Sequence, residues 1–473
     1  MTIPNLVTTI GKRAFGLCTN LNTITFLCHD MISPDNIATA LNEAAFDDGV
    51  TTAEDKRGDI NIYVHESQLG DYQAEPFYQK FKSIATSFTN GSEEYIAVSD
   101  NAVDLLSTST TDETYIIPRN VNHDGRTYEV ALVGDYAFRN TSSNVKEVVL
   151  FDNVEYIGAK AFLTDITNNT STVERVFFIG STPSTEMLST TRFELDATGS
   201  DYSEIAGTTN IYVKKSKLEG YKTAMPRYAE QMDYKIPFPM TSKYGTFCRE
   251  FDTDFSELTS TDNEGMPQMI AFTAGKYGRD IDKNGDEVLY VHMESINLGD
   301  AQGDGTFIPA NTAVLIRATG DVEGHENDYY QIHDDNLAEY SRANIMKGVT
   351  VRPAIVQPTE DSFTNFLMST DSKLHKMTVA RTFPTHKAYM QLPTEDIQNA
   401  KIAITFEEPL MGNDESGKKP LIPFEESEEI TNAIFGINND AGKQGEWYTL
   451  QGVKTNNPSK GIYIHDGKKV VVE

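Results

Sequence analysis

A short pattern that recurs along the chain constrains its fold more than any other feature. It reads apolar residue, glycine, two variable residues, alanine and phenylalanine, and its copies begin at Ile10, Val133 and Ile157. The last two copies are 157 − 133 = 24 residues apart, a period typical of solenoid repeats. We attribute the glycine to a tight bend of the backbone and the alanine-phenylalanine pair to core packing. Because one unit cannot bury its apolar face alone, the pattern predicts stacked units.

An apolar triplet follows each copy of this pattern at a fixed spacing. Its last two positions are two residues apart, so both side chains lie on one face of a strand. The triplets are Leu21, Ile24 and Phe26, then Val145, Val148 and Leu150, then Val173, Val176 and Phe178. Each unit is therefore predicted to contribute one short strand to the solenoid core.

The residues between the triplet positions are predicted to point away from that core and to form a binding face. In the second and third units they are Lys146, Glu147 and Val149, then Glu174, Arg175 and Phe177. Val149 and Phe177 would stand one strand spacing apart, ~4.8 Å, inside a charged rim. An apolar centre with such a rim is typical of a recognition patch. The alternative is that the insertion at 163–172 or the neighbouring sandwich covers Phe177 and makes it ordinary core.

A longer duplication predicts that the repeats form two blocks. Residues 62–72 and 211–221 share an Ile-Tyr-Val start and later serine, leucine and tyrosine positions, at an offset of 211 − 62 = 149. We interpret each copy as a strand followed by a helix that begins at Ser67 or Ser216. The last unit of a solenoid must cover its open end. The copies therefore predict caps on two blocks, residues 1–90 and 91–236.

The first repeat resembles the BspA-like (Treponema-type) leucine-rich repeat nearly position by position. The residues that carry the resemblance are Ile3, Pro4, Val7, Ile10, Gly11, Ala14, Phe15, Cys18, Leu21 and Ile24, and the block opening from Tyr115 to Phe138. The resemblance implies an extracellular or cell-surface bacterial protein, often from Bacteroidetes, with adhesive or ligand-binding roles. It also implies that Cys18 occupies a buried core column, as a small hydrophobe.

The second half of the chain has a different character. Residues 237–406 carry short apolar or alternating runs between turn clusters, which predict a β-sandwich domain. The runs are Met269–Phe272, Val288–Met293, Thr312–Arg317, Lys347–Val351, Lys376–Ala380 and Lys401–Phe406. This region resembles a β-rich domain that follows such repeats in Bacteroidetes surface proteins.

The end of the chain is predicted to hold a linker and a hairpin. Residues 407–446 are acidic and rich in glycine and proline, as linkers are. Residues 447–473 form alternating runs around Asp466 and Gly467, a hairpin signal, and resemble a C-terminal sorting-type tail. The predicted fold class is thus mixed but mostly β: two short leucine-rich-repeat blocks with strand-helix caps, a β-sandwich domain and a C-terminal β-hairpin.

Charge and composition exclude several classes of partner. The formal net charge is −30, whereas binding to nucleic acid needs a basic surface. No apolar run approaches the ~20 residues that span a bilayer, so we expect no membrane insertion. The chain opens without a signal peptide. Since the resemblance implies export, we expect that the leader has been trimmed from this sequence.

Motifs that could carry chemistry are weak. The run from Asp280 to Asp286 copies the first half of a calcium loop, but Val291 stands where the closing acid is required. We therefore predict a metal-free hairpin tip there. No histidine pair or nucleophile motif stands out, and we predict no catalytic residues, no metal site, no cofactor and no enzyme activity.

The sequence thus favours a surface protein that binds a host or microbial protein or glycan through its repeat face. Two alternatives remain open: an architectural spacer or display protein without a ligand of its own, and a carboxylate-dependent hydrolase. An exposed apolar row on the repeat strands would favour binding, whereas a deep cleft with paired acids would favour the enzyme.

Overall fold

Strands dominate the computed structural model of this chain, and the described part contains two short α-helices. The predicted fold class is confirmed. Beyond residue 406 the structure describes only the strands named below, and residues 1–406 are described except 4–6, 17, 19, 29, 40–43, 47–54, 100, 140, 142–143, 159, 166–167, 169, 181–207, 259–268, 282–284, 297–305, 319–324, 326, 370–373 and 398–400.

The first repeat block is built on one parallel sheet. Its strands lie side by side in chain order, and one helix follows the third strand. The elements are β1 (Thr2–Ile3), β2 (Thr23–Phe26), β3 (Asn61–Val64), α1 (Leu69–Ala74) and β4 (Ser83–Thr86). Ile24 and Phe26 of β2 lie in the core, as predicted from the first triplet.

The second repeat block carries two sheets on opposite sides of one core. Its elements are β5 (Phe88–Asn90), β6 (Glu93–Ala97), β7 (Ala102–Thr108), β8 (Thr114–Ile116), β9 (Asn120–His123), β10 (Arg126–Val133), β11 (Glu147–Leu150), β12 (Tyr156–Ile157), β13 (Arg175–Phe178), β14 (Asn210–Val213), α2 (Leu218–Ala224) and β15 (Met232–Asp233). One sheet has the order β12-β10-β7-β6-β5, with β9 paired to β10. The other has the order β15-β14-β13-β11-β8 and is parallel throughout.

The repeat pattern occupies the core of the second block. The alanine-phenylalanine pairs at 137–138 and 161–162 are buried there together with both apolar triplets. In the first block the same pair is less covered, because Ala14 is exposed and Phe15 is half-buried against Phe46. Cys18 follows in a tight turn, with its N–H bonded to the Phe15 carbonyl, and its side chain is exposed. The prediction of a buried Cys18 is therefore wrong.

The repeat glycines serve close stacking instead of a special backbone angle. A Cβ on Gly158 would lie 2.4 Å from the backbone nitrogen of Asp135 in the preceding unit. A Cβ on Gly134 would lie 3.1 Å from the Leu105 carbonyl oxygen. Neither glycine has a positive φ, so the predicted tight bend is not their role. At Gly11, by contrast, a Cβ would meet nothing within 4 Å.

The two duplicated segments adopt the same order of elements. Each has a strand, a 3-10 turn, a short helix, a second 3-10 turn and a final strand at the edge of its sheet. The helices begin at Leu69 and Leu218 without a side-chain cap. The predicted starts at Ser67 and Ser216 are wrong, because these serines lie in the 3-10 turns that precede the helices. The described 3-10 turns are Pro34–Asn36, Lys56–Asp59, Glu66–Gln68, Tyr78–Lys80, Lys215–Lys217, Pro226–Gln231 and Ser256–Leu258.

The following region is a β-sandwich with an additional small sheet. Its strands are β16 (Ile236–Pro237), β17 (Tyr244–Phe247), β18 (Thr253–Asp254), β19 (Met269–Ile281), β20 (Glu287–Ser295), β21 (Phe307–Ile308), β22 (Val314–Ala318), β23 (Tyr329–Ile332), β24 (Met346–Val349), β25 (Ala354–Val356), β26 (Thr359–Glu360), β27 (Phe363–Met368), β28 (Leu374–Lys376), β29 (Arg381–Phe383), β30 (Lys387–Pro393), β31 (Lys401–Phe406) and β32 (Ile422–Pro423). Of the predicted runs, Lys376–Ala380 is wrong, since β28 ends at Lys376.

Two sheets of this region face each other across one apolar core. The sheet β17-β22-β19-β20-β31-β32 contributes residues such as Phe272 and Val291, and the sheet β24-β30-β27-β26 contributes residues such as Phe366 and Leu392. The opposite face of the first sheet joins the small sheet β16-β23-β18-β21 in a second core. This second core also includes residues from the repeats.

The C-terminal segment forms an antiparallel sheet of four strands in the order β34-β33-β35-β36. The strands are β33 (Trp447–Thr449), β34 (Lys454–Thr455), β35 (Gly461–His465) and β36 (Lys468–Val472). Strands β35 and β36 form the predicted hairpin, whose tip residues Asp466 and Gly467 lie outside the described residues. Apart from β32, so does the predicted linker 407–446. No helix in the described residues is long and apolar enough to cross a membrane.

Candidate functional site

The two points where successive parts of the chain meet are the most informative regions of the molecule. We call the contact between the first and second repeat blocks the first junction, and the contact between the second block and the sandwich the second junction. At the first junction Thr25 of β2 is fully buried and donates a hydrogen bond of 2.8 Å to the Ala97 carbonyl oxygen at the end of β6. Tyr63 of β3 packs against the core of the second block.

The second junction covers the outward positions of the repeat strands with apolar residues. Val149, Phe177 and Tyr212 occupy equivalent positions of β11, β13 and β14. They share one buried core with residues of the sandwich region, among them Phe247 and Phe251. The rings of Phe177 and Phe251 are 5.2 Å apart. The strand face of the repeats is therefore an internal contact surface.

This finding corrects the predicted binding face. Val149 and Phe177 were expected at the surface, but both are 0% exposed. The prediction of an exposed apolar centre is wrong, and the alternative in which the sandwich covers Phe177 is confirmed. The sandwich supplies apolar partners that are distant in sequence. Of the predicted rim, Glu147 is also buried, whereas Lys146 and Glu174 remain exposed and Arg175 is partly exposed.

A cluster of charged side chains lies beside the apolar part of the second junction. Its members, which we call the junction ion cluster, are Glu147, Arg175, Arg249, Glu250 and His386. Nη1 of Arg249 lies 2.9 Å from Oε2 of Glu147, and its Nη2 donates to Oε1 of Glu250 at 2.7 Å. The guanidinium group also lies over the rings of Phe177 and Phe251, at 4.7 and 4.6 Å from their centroids.

The charges of this cluster compensate one another. Two carboxylates face two guanidinium groups, so the cluster is neutral when the His386 imidazole is neutral. Burial by itself would lower the pKa of Arg249, but the Glu250 and Glu147 carboxylates hold it above its usual range. Burial by itself would raise the pKa of Glu250, but Arg249 and His386 hold it below its usual range. Both side chains therefore stay ionised at neutral pH.

The same cluster contains a compact set of possible metal ligands, but it does not fit a metal ion. Ligand atoms of Glu147, Glu250 and His386 all lie within 4.8 Å of one another. Arg249, however, contacts the Glu147 oxygen of this set and places Nη1 3.0 Å from Nδ1 of His386. A histidine that binds a metal normally donates its second N–H to an acceptor, whereas here that nitrogen faces a donor. A divalent ion would also add charge beside two arginines.

An open cleft of about 380 Å³ lies next to the cluster, and we call it the junction cleft. On the repeat side its lining residues are the starts of three adjacent strands: Glu113, Thr114, Lys146, Glu147, Glu174 and Arg175. On the sandwich side they are Pro353, Thr382, Pro384 and Thr385. The hydroxyl of Thr385 donates to Glu113 at 3.2 Å, which ties the two sides together. The cleft thus brings together all four charged residues of the predicted rim.

The predicted calcium-like segment lies at the end of a long hairpin. Strands β19 and β20 pair up to Ile281 and Glu287, and Gly285 has a φ of 88°, as the hairpin prediction requires. Residues 282–284 lie outside the described residues. The carboxylate of Asp286 accepts a hydrogen bond of 2.6 Å from Lys401, so one acid of the motif is already paired with a lysine.

The sequence reasoning missed Arg249, Glu250 and His386. A usable signal exists for the first two, because they interrupt the apolar run Phe247, Cys248 and Phe251. Charged residues inside a buried run are normally paired. No comparable signal marks His386, whose φ of 62° becomes visible only in the structure.

Comparison with known proteins agrees with the repeat geometry. A family model described as the BspA type leucine rich repeat region matches residues 1–48 and 127–193, in six copies. These segments are BspA-type leucine-rich repeats. The resemblance read from the sequence is thereby confirmed for the repeats. No curated protein matches the chain.

Two solved structures are each similar to part of this chain. One is a leucine rich cell surface protein from Faecalibacterium prausnitzii A2-165, with 27% identity over 20% of this chain and 26% of that chain, at a TM-score of 0.16. The other is a leucine-rich repeat protein from Bacteroides capillosus ATCC 29799, with 19% identity over 27% of this chain and 98% of that chain, at a TM-score of 0.18. This chain thus spans about a quarter of the first protein.

Proposed function

We propose that this chain is a cell-surface scaffold whose BspA-type repeats hold successive domains in fixed positions. The observation that carries the proposal is the burial of Val149 and Phe177, which turns the repeat strand face into a docking surface for the sandwich. Surface location is supported by the repeat family. Adhesion through the strand face has no support, since that face is covered.

Polar contacts on both sides of the apolar centre support a fixed junction. On the cleft side the N–H of Thr114 donates to the Val351 carbonyl at 3.0 Å. On the cap side Nζ of Lys214 donates to the Asp334 carbonyl at 2.7 Å, and Lys215 pairs with Glu257. Contacts that surround an apolar centre restrict both sliding and rotation of the two parts.

The replacement Phe177→Ala tests the docking role. Removing a buried phenylalanine should reduce the free energy of unfolding by about 3–5 kcal/mol. Hydrogen–deuterium exchange should also become faster on both sides of the junction, in β13 and in β17. The matched control is Phe162→Ala, which removes a phenylalanine from the repeat core and should speed exchange in the second block alone. Identical exchange patterns in the two variants would contradict the docking role.

Surface location has a separate test. Protease treatment of intact cells that produce the protein should release peptides from the repeats. Release only after cell lysis would contradict the proposed location.

A further inference from the structure

We propose that the junction cleft binds a neutral polyhydroxylated ligand, that is, a sugar residue of a glycan. Such a site goes beyond the scaffold role and lies at the end of the strand face, beside the apolar part that the sandwich covers. The volume of about 380 Å³ falls in the lower part of the range of small-ligand sites, roughly 300–1,000 Å³.

Two charged groups of the cleft have unused hydrogen-bonding capacity. The terminal nitrogens of Arg175 donate no hydrogen bond in the described part of the chain, although the side chain is 34% exposed. Its Nε lies 2.7 Å from Oε1 of Glu147, but neither atom has hydrogen-bond geometry there. The carboxylate of the neighbouring Glu174 has no polar partner among the described residues. One donor group and one acceptor group are therefore available side by side.

The order of charges around the cleft favours a neutral ligand. Along the repeat side, Glu113, Lys146 and Glu174 hold equivalent positions before adjacent strands, about 4.8 Å apart. With Glu147 and Arg175 they provide three acids and two bases. Lys146 lies 3.4 Å from Glu113, and Glu147 is paired with Arg175 and, outside the cleft, with Arg249. The charges are thus mostly compensated, and an ion of either sign gains less here than a neutral ligand. A hydroxyl group both donates and accepts, and adjacent hydroxyls on one ring can therefore bridge these alternating donors and acceptors.

The sandwich side completes a site of the same character. Thr382 and Thr385 add hydroxyl groups, while Pro353 and Pro384 add apolar ring surfaces. Such surfaces suit the C–H faces of a sugar ring. A long apolar peptide side chain would gain little here, because the other lining residues are polar.

Saturation-transfer NMR and titration on the full chain test the site. The probes are the methyl glycosides of glucose, galactose, mannose and N-acetylglucosamine, with glucuronate and glycine as an anionic and a zwitterionic competitor. We expect saturation transfer to at least one neutral glycoside and weaker transfer to both competitors. No transfer to any neutral glycoside, or preferred binding of glucuronate or glycine, would overturn the proposal.

Three variants locate the binding. Arg175→Lys keeps the charge beside Glu147 but removes the planar guanidinium group with its terminal N–H donors. It should weaken binding about tenfold. Glu174→Gln removes an exposed acceptor charge and should weaken it less. Thr382→Val changes the opposite wall, and remains informative if Arg175→Lys lowers the melting temperature. The control Glu219→Gln alters an exposed glutamate of α2 and should change nothing. Binding that is unaffected by all three cleft variants would refute this site and leave the scaffold proposal intact.

Discussion

The two junctions cover equivalent positions of the repeat strands with different chemistry. At the first junction the position is Thr25, which is buried and satisfied by one hydrogen bond to Ala97. At the second junction the corresponding residues are Val149 and Phe177, which enter a large apolar core beside an ion cluster. A repeat strand therefore has no fixed outer face. The residues of the next part of the chain determine whether that face makes polar contacts or joins an apolar core.

The largest effect is expected at the second junction, from Arg249→Met. The variant leaves Glu147 and Glu250 buried without their main cation, which should cost about 3–5 kcal/mol of the free energy of unfolding. Denaturant titration followed by circular dichroism measures this loss. The control is Arg352→Met, since the Arg352 side chain is 67% exposed beside Asp112 and exposed pairs contribute about 0–1 kcal/mol.

A charge-balanced variant sharpens this prediction. Adding Glu147→Gln and Glu250→Gln to Arg249→Met removes the uncompensated charges and should restore part of the lost stability. If the triple variant is less stable than Arg249→Met alone, charge compensation is not what this cluster contributes.

A pH-dependent effect is expected near the first junction, from Asp104→Asn. Asp104 lies on β7 opposite Ile96, the neighbour of Ala97. Burial, and then the nearby Asp135 carboxylate, raise its pKa to about 7 from an ordinary value of 3.8. Between these two pKa values the folded state keeps a proton on Asp104 that the unfolded state releases. The contribution of the protonated Asp104 to stability is therefore fully present below pH 3.8 and is lost as the pH rises through 7.

Asparagine cannot ionise, so the free energy of unfolding of the variant should rise relative to that of the natural protein as the pH increases. The difference should be small near pH 4 and reach about 2–4 kcal/mol at pH 8. Thermal unfolding across this range measures it. Asp124→Asn serves as the control, because the Asp124 side chain is 89% exposed. A difference that does not grow with pH would show that Asp104 ionises as freely in the folded state as in the unfolded chain.

The smallest effect is expected from Thr25→Val at the first junction. Valine fills the same space but leaves the Ala97 carbonyl oxygen without its donor, at a cost of about 1–2 kcal/mol. The exposed Thr127→Val is the control and should lie within about 0.5 kcal/mol of the natural protein. A loss at Thr25 as large as that from Arg249→Met would mean that the two junctions do not differ as described.

Local pattern was sufficient to predict the parts of the fold that are held by neighbours in sequence. The triplets of the second block line its core, and the two duplicated segments have the same strand and helix order. The hairpins at β19–β20 and β35–β36 also follow the turn signals. The limits of the five predicted segments, from 1–90 to 447–473, stay predictions. The role of the glycines was misjudged, because the contact of Gly158 with Asp135 arises only when units stack.

Spacing along the chain is enough to specify the repeat units, because it sets their strands and core positions. What covers those strands depends on the tertiary structure. Phe177 reads as an outward residue in its own repeat, and it becomes core since Phe251 and Arg249 arrive from a distant segment. The junction cleft depends on the same approach, because Thr385 and Pro384 form its second wall. Side-chain periodicity specifies which face of a strand a residue occupies, whereas the partner of that face depends on the packing of distant parts of the chain.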